Sequence, residues 1–403
     1  MTIKVEKSKA KGFVSVPPSK SVAHRALICG ALTKKSIIKN IALSKDIEAT
    51  LSCLVSLGAK AEFVSCNEIV IGGLDLCNIP DDVILNCNES GSTLRFLIPF
   101  ALLCGKKVTF KGAERLMSRP LTVYEKIAEQ KGFIFQKNED SITLCGKLTA
   151  GIYEVAGDIS SQFITGLIFA LSQVEGESYI KLTSKLESAS YVDITLGVMS
   201  SFGIDVKCEK DGYKVSGKSF EGREYTVEGD CSNAAFLDAF NLLGGEVFLT
   251  GLNADTLQGD RVYKQFFCDL QNGIKEFDLT DCPDLAPIMF ALSSCFGGAK
   301  FYGTKRLAIK ESDRASAMAT ELAKFGIKTK IFENSVEILS GDLNEPTEIL
   351  SGHNDHRIVM SLVTLCTLTG GVISGGEAVA KSFPDYFNKI KTLGIGITDN
   401  ETE

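Results

Sequence analysis

At 403 residues, 44% hydrophobic and 23% charged, the chain is too long for one ordinary core and reads as two folded domains, which excludes a disordered protein. A formal net charge of −7 excludes the basic surface that nucleic acid asks for, yet a few arginines can still make a locally positive site for small anions. Thirteen cysteines without a C-x-x-C pair exclude a disulfide framework and a zinc ribbon and point to a reducing, cytoplasmic setting, while no apolar run approaches the ~18 residues of a membrane span.

The first residues, Met1 to Lys7, read as a charged strand start rather than a signal peptide. A strand over Ile3 to Val16 ends at Val16-Pro17-Pro18-Ser19, since two prolines cannot continue a ladder, and the sequence opens a helix directly afterwards. On that helix Lys20, Ser21, His24 and Arg25 share one end and nearly one face. Cations at a helix start oppose its dipole, so an anion site explains them better than a solvated basic turn.

Asn88-Glu89-Ser90-Gly91-Ser92-Thr93-Leu94-Arg95 is either a small-residue turn that lets an anion near the backbone or a plain N-cap before a buried helix. Arg119 precedes Pro120, which predicts an extended backbone aiming the guanidinium outward, with a surface ion pair as the alternative. Ser160-Ser161-Gln162 offers two hydroxyls and an amide at another helix start, suited to a phosphate or sugar ring or simply to double capping.

An amphipathic helix ending in glycine and followed by a strand recurs at Gly58, Gly132, Gly203, Gly273, Gly326 and Gly394, spaced 74, 71, 70, 53 and 68 residues. Each glycine suits a left-handed cap. Six copies divide into two domains of three, 17–228 and 1–16 plus 229–403, with hinges near 16–19 and 227–230, and the first strand is expected to pair with the far domain.

In the second half, Asp284 stands between Pro283 and Pro287 and reads in isolation as an N-cap, while Lys310-Glu311-Ser312-Asp313-Arg314 reads as a solvated face. His353 and His356 make an H-x-x-H pair, but no thiol or carboxylate lies at ligand spacing, so no metal is expected. Arg357 follows at a helix start, and Lys381 precedes a proline-marked helix. Nearly every polar cluster falls at a helix N-terminus, and the clusters are split between the halves. One positively charged cleft closed by hinge motion, with room for two small anions, is the expectation.

Taken together, Ser19-Lys20-Ser21-Val22-Ala23-His24-Arg25, Ser160-Ser161-Gln162, Tyr191-Val192-Asp193-Ile194-Thr195, Pro283-Asp284, Lys310 to Arg314, Asn354-Asp355-His356-Arg357 and Lys381 to Tyr386 resemble, along essentially the whole chain, the 5-enolpyruvylshikimate-3-phosphate synthases. The resemblance implies a two-domain α/β enolpyruvyl transferase fold: three βαβαββ repeats per domain around a pseudo-threefold axis, an inside-out α/β barrel. It also implies enolpyruvyl transfer from phosphoenolpyruvate to the 5-hydroxyl of shikimate 3-phosphate through a tetrahedral intermediate, on the route to chorismate and the aromatic amino acids.

By the same resemblance, shikimate 3-phosphate falls to Lys20, Ser21, Arg25, Ser160, Ser161, Gln162, Ser188, Tyr191, Asp284 and Lys310. Phosphoenolpyruvate falls to Lys20, Gly91, Arg119, Gln162, Arg314, Arg357 and Lys381, whose five cations leave no need of a metal or cofactor. Asp284 is then the base at the hydroxyl, and Glu311 or Lys20 exchanges the proton at the methylene carbon. A cytoplasmic monomer without nucleic acid or membrane partners is implied.

Glu89 departs from the Asn of many members and is expected to face away. Ser190 replaces a common proline, and sensitivity to glyphosate, which the Gly91 position influences, is left open. Two alternatives are weighed. The sister transferase acting on UDP-N-acetylglucosamine carries Lys-Asn at Lys20-Ser21 and a cysteine in the loop where Glu114 to Ser118 has none. A non-catalytic metabolite binder would not require both Asp284 and Glu311.

Overall fold

The protein is described here by a computed structural model over residues 1–399. All six joint glycines have left-handed backbone, with φ between 72° and 113°, a conformation in which a Cβ would clash with the adjoining carbonyl. Each therefore ends its helix and turns the chain toward the next strand or loop.

The described strands form five four-stranded sheets and one two-stranded sheet. The pattern is clearest where Val83–Asn86, the helix Gly91–Ala101 and Val108–Lys111 make a parallel crossover. The helix Thr122–Lys131 then leads to the hairpin Ile134–Lys137 and Ser141–Cys145, whose second strand pairs antiparallel with Val108–Lys111. Every four-stranded sheet has this order of one parallel and two antiparallel steps.

The single strand expected over Ile3 to Val16 is two strands. Thr2–Val5 pairs with Gly371–Ser374 and Ile397–Asp399, and Lys11–Ser15 pairs parallel with Glu246–Thr250. Contacts divide the chain into a unit of Met1–Pro17 with the residues from Gly229 onward and a unit of Pro18–Glu228. Each has its own apolar core, so each supports its helix ends independently. No described helix is long and apolar enough to cross a membrane.

Among the helices that position the polar groups of the Pro18–Glu228 unit are α1 (Lys20–Ala31), α2 (Lys45–Ser56) and α3 (Gly91–Ala101). The helix Ser161–Leu171 packs against α3 so closely that a Cβ on Gly166 would lie 2.5 Å from the Arg95 carbonyl oxygen and 2.5 Å from the Tyr124 hydroxyl. That close approach, which only glycine permits, brings Arg95 beside Gln162.

Candidate active site

The helices beginning at Lys20, Gly91, Ser161, Arg314 and His356 have no acid in their first turn, whereas α2 carries Asp46 and Glu48 there. Carboxylates ordinarily favour that position because they compensate the positive end of the helix dipole. The helices at Lys20, Gly91 and Ser161 are capped by serines and keep their first-turn N–H groups free of acidic competition, whereas Asp313 and Asp355 cap the helices at Arg314 and His356.

In the Pro18–Glu228 unit, Lys20 donates from Nζ to Asp46 Oδ2 at 2.7 Å. Arg25 is buried and spends its guanidinium on the protein: Nε on Thr195 Oγ1 at 2.8 Å, and its two terminal nitrogens on the carbonyl oxygens of Ser21 at 2.7 Å and Tyr191 at 2.8 Å. His24 is turned into the core and not onto the face of Lys20 and Ser21, because the α1 surface that carries it packs against α2. Ser188 holds φ 57° and ψ 43°, a left-handed geometry costly for a serine and therefore imposed by its surroundings, directly before the helix bearing Tyr191.

Gly91 is the point where guanidinium groups converge. A Cβ there would meet Arg119 at 2.6 Å and Arg95 at 2.9 Å. Arg119 has the extended backbone expected before proline, φ −65° and ψ 146°. Arg95 donates to Gln162 Oε1 at 3.0 Å, and Gln162 Nε2 donates to Ser92 Oγ at 3.0 Å. Burial and the nearby Arg119 both press the Arg95 guanidinium well below its usual pKa. Two cations flanking a glycine at a helix N-terminus are an arrangement able to receive an anion. Ser160 caps the next helix by accepting from Gln162 N at 3.3 Å, with Ser161 buried beside it.

In the other unit Asp284 is the hub. It lies inside the 3-10 turn Pro283–Leu285, so the N-cap reading of it fails, and no capping bond is made there. Its Oδ1 accepts from Arg314 at 2.8 Å and from Lys310 Nζ at 3.3 Å, while Oδ2 accepts from Arg357 at 2.8 Å. Burial pushes this carboxyl up, but Arg357, Lys310 and Arg314 outweigh burial and hold it well below the ordinary carboxylate range. The run Lys310 to Arg314 is not a solvated face: Arg314 is 2% exposed, because Asp284 and Asp355 supply the counter-charge that makes its burial tolerable.

Asp355 caps the helix His356–Thr369 through Arg357 N at 3.0 Å and accepts from Arg314 Nε at 2.9 Å. Glu311 Oε2 lies 3.0 Å from His356 Nδ1, and Lys381 Nζ donates to the Asn354 carbonyl oxygen at 2.5 Å. The absence of carboxylates at ligand spacing, from which no metal was expected, does not hold in three dimensions. One ligand atom each from Glu311, Asp355 and His356 lies within 4.8 Å of the others. The two histidines nevertheless serve different acids, since His353 Nε2 meets Glu321 Oε1 at 2.7 Å, and Asp355 is already engaged by Arg314.

Sequence reasoning missed Asp46 and Asp260. Nothing local marks them, because their partners are far along the chain. Asp260 is buried, accepts from the Ser232 hydroxyl and is pushed up to about 7, first by burial and then by Asp284, against Arg357. It takes up a proton on folding, so its stabilisation is complete below the ordinary carboxylate pKa and is lost as pH rises through about 7. Asp260→Asn is therefore expected to melt higher than the parent above pH ~7, with the advantage shrinking on acidification. Thermal melts across that range check it, and a pH-independent difference would contradict it.

A family model described as EPSP synthase (3-phosphoshikimate 1-carboxyvinyltransferase) matches residues 5–390. The chain is 38% identical, over an alignment 433 positions long with gaps, to the 3-phosphoshikimate 1-carboxyvinyltransferase of Clostridium novyi, covering 98% of each. It is 38% identical, over an alignment of 418 positions, to that of Clostridium kluyveri, covering 97% of each. Among solved structures, EPSP synthase from Acinetobacter baumannii matches with a TM-score of 0.78 at 22% identity, over 99% of this chain and 100% of that one. The enolpyruvyl transferase NikO from Streptomyces tendae matches with a TM-score of 0.75 at 13% identity, over 100% and 99%. At these identities the two structures bear on the fold alone.

Proposed function

The chain belongs to the EPSP synthase (3-phosphoshikimate 1-carboxyvinyltransferase) family and has the α/β enolpyruvyl transferase fold, and on that premise we propose how its residues carry out the family's reaction. The enolpyruvyl group of phosphoenolpyruvate passes to the 5-hydroxyl of shikimate 3-phosphate. The hydroxyl oxygen bonds to C2 while its proton goes to a base and C3 gains a proton. The tetrahedral adduct then loses phosphate from C2 and the proton from C3, giving the enol ether of the shikimate pathway.

Phosphoenolpyruvate is assigned to Lys20, Gly91, Arg119 and Gln162 of one unit and to Arg314, Arg357 and Lys381 of the other. Planar guanidinium forks suit its carboxylate and phosphate, and the Gly91 position lets an anion reach the first-turn N–H groups of α3. Shikimate 3-phosphate is assigned to Ser21, Arg25, Ser160, Ser161, Ser188, Tyr191, Asp284 and Lys310, with Lys20 and Gln162 touching both substrates. Asp284 takes the hydroxyl proton, and Glu311, held by His356, serves proton exchange at C3 beside Lys20.

The single observation carrying this reading is the Asp284 carboxylate held by Lys310, Arg314 and Arg357. An acid tied to three cations is a weak base, as its lowered pKa states. An incoming trianion competes for those cations, and burial then raises the carboxyl toward the range in which it accepts a proton. Basicity is thereby switched on by the substrate that needs it. The thirteen free thiols fit a reducing cytoplasm, and a monomer suffices for the reaction as assigned.

A phosphate-release assay tests the function. Release is expected only when shikimate 3-phosphate and phosphoenolpyruvate are both present, in step with product. Release that requires UDP-N-acetylglucosamine instead, or none with either acceptor, overturns it.

A further inference from the structure

The first turns of α1 and α3 are joined by a fully buried chain of hydroxyls that the reaction as assigned does not use. His24 Nδ1 lies 2.7 Å from Thr50 Oγ1 on α2, and Thr50 Oγ1 lies 2.6 Å from Thr93 Oγ1. Thr93 Oγ1 donates to Ser90 Oγ at 2.7 Å, and Thr93 N donates to the same oxygen at 3.2 Å. Ser90 is the N-cap that sets Gly91 in place. None of these four side chains is more than 1% exposed. Beside them the Asp46 carbonyl oxygen lies 3.5 Å from Thr93 Oγ1, while the Asp46 carboxylate holds Lys20.

The protons in this chain can run in one of two orders. Each hydroxyl owns one hydrogen, so if Thr93 donates to Ser90 it must accept from Thr50, and Thr50 must accept from His24 Nδ1–H. His24 Nε2 then carries a lone pair, and that atom is buried with no hydrogen-bond partner. The reverse order would bury an unpaired Nε2–H donor in the field of Lys20 and Arg25, where a lone pair is attracted and a second positive hydrogen repelled. Electrostatics and hydrogen-bond geometry agree on a neutral His24 with its proton on Nδ1.

We propose that His24, Thr50, Thr93 and Ser90 form a positioning relay, ordered by the Nδ1–H tautomer of His24, that fixes the Gly91 turn of α3 relative to Lys20 on α1. Thr50 is the positioning residue through which the order passes; it touches no substrate. The consequence for catalysis rests on the assignment of phosphoenolpyruvate to Gly91 and Lys20, while the relay itself does not.

Two measurements test it. In nitrogen-15 NMR of the full chain, which has only three histidines, His24 is expected to show a protonated Nδ1 and a bare Nε2 at neutral pH. A proton on Nε2, or a charged ring, overturns the relay whatever the enzyme does. In kinetics, Thr50→Val keeps the shape and removes the hydroxyl, and is expected to raise KM for phosphoenolpyruvate about tenfold, leave KM for shikimate 3-phosphate near the parent value, and be reversed by Thr50→Ser. Equal rises in both KM values, no rise, or a Thr50→Ser variant as impaired as Thr50→Val overturns the positioning role. Should the valine variant not fold, the NMR result and the serine variant decide. An inactive parent protein would sink the assigned function and leave the tautomer result standing.

Discussion

Asp284→Ala is expected to lower turnover roughly 10³-fold, the middle of the range by which a positioned general base accelerates proton transfer. The residue is a carboxylate shared by Lys310, Arg314 and Arg357, and it is the group whose basicity a bound anion can restore by drawing those cations away. Asp284→Asn keeps the shape and one acceptor oxygen, but its amide N–H2 faces cations that can only donate, and it cannot take a proton. It is expected to be less stable than the parent, since the charge that compensates Arg314 and Arg357 is lost, and to lose turnover as fully as the alanine variant. Steady-state phosphate release separates the cases: an asparagine variant within a few-fold of the parent would show that Asp284 only arranges its neighbours.

Arg314→Ala is expected to destabilise its unit by about 3 to 5 kcal/mol, the cost of removing one partner from a buried ion cluster. Arg314 is 2% exposed and bridges Asp284 and Asp355, the latter wholly buried, so its loss strands two carboxylates without their shared counter-ion. Arg314→Lys should recover only part of the loss, since a single ammonium cannot reproduce the fork that reaches both acids. Urea unfolding midpoints measure this.

The pH dependence gives a second handle on the same cluster. In the parent, burial raises Asp284 and Asp355, but the cations outweigh it and both carboxyls sit below their ordinary range. Their stabilisation is therefore present above the unfolded-state pKa and lost as pH falls through the lowered values. In Arg314→Ala burial prevails over fewer cations, both carboxyls move up, and the deficit relative to the parent should narrow as pH falls through the ordinary carboxylate range. A deficit that widens on acidification would contradict the assignment of charge.

Much of this architecture was legible because it is written in local chemistry. A glycine that must turn left-handed announces itself by recurring after an amphipathic helix, and all six do so turn. Arg119 before Pro120 has little conformational choice, and its extended backbone follows. What local chemistry does not carry is the partner brought in from a distance. Lys20 meets Asp46, 26 positions away, Arg95 meets Gln162, 67 away, and Arg25 meets Thr195, 170 away.

The same blindness explains the misreadings. Lys310 to Arg314 looks self-compensating along the chain, yet Arg314 finds its counter-charges on two other elements and is buried by them. His24 shares a helix end with Lys20, but helical spacing alone does not say which side α2 will cover. Glu311 is 45 positions from His356, so the carboxylate that spacing said was absent was supplied by the fold.

The most direct measurement is calorimetric titration of phosphoenolpyruvate into Asp284→Ala saturated with shikimate 3-phosphate. If Lys310, Arg314 and Arg357 are cations that the carboxylate keeps in waiting for an anion, deleting their keeper should leave phosphoenolpyruvate bound at least as tightly as in the parent, while product formation is lost. Affinity that collapses together with turnover would mean that these groups serve only to hold the fold, and that phosphoenolpyruvate is received elsewhere.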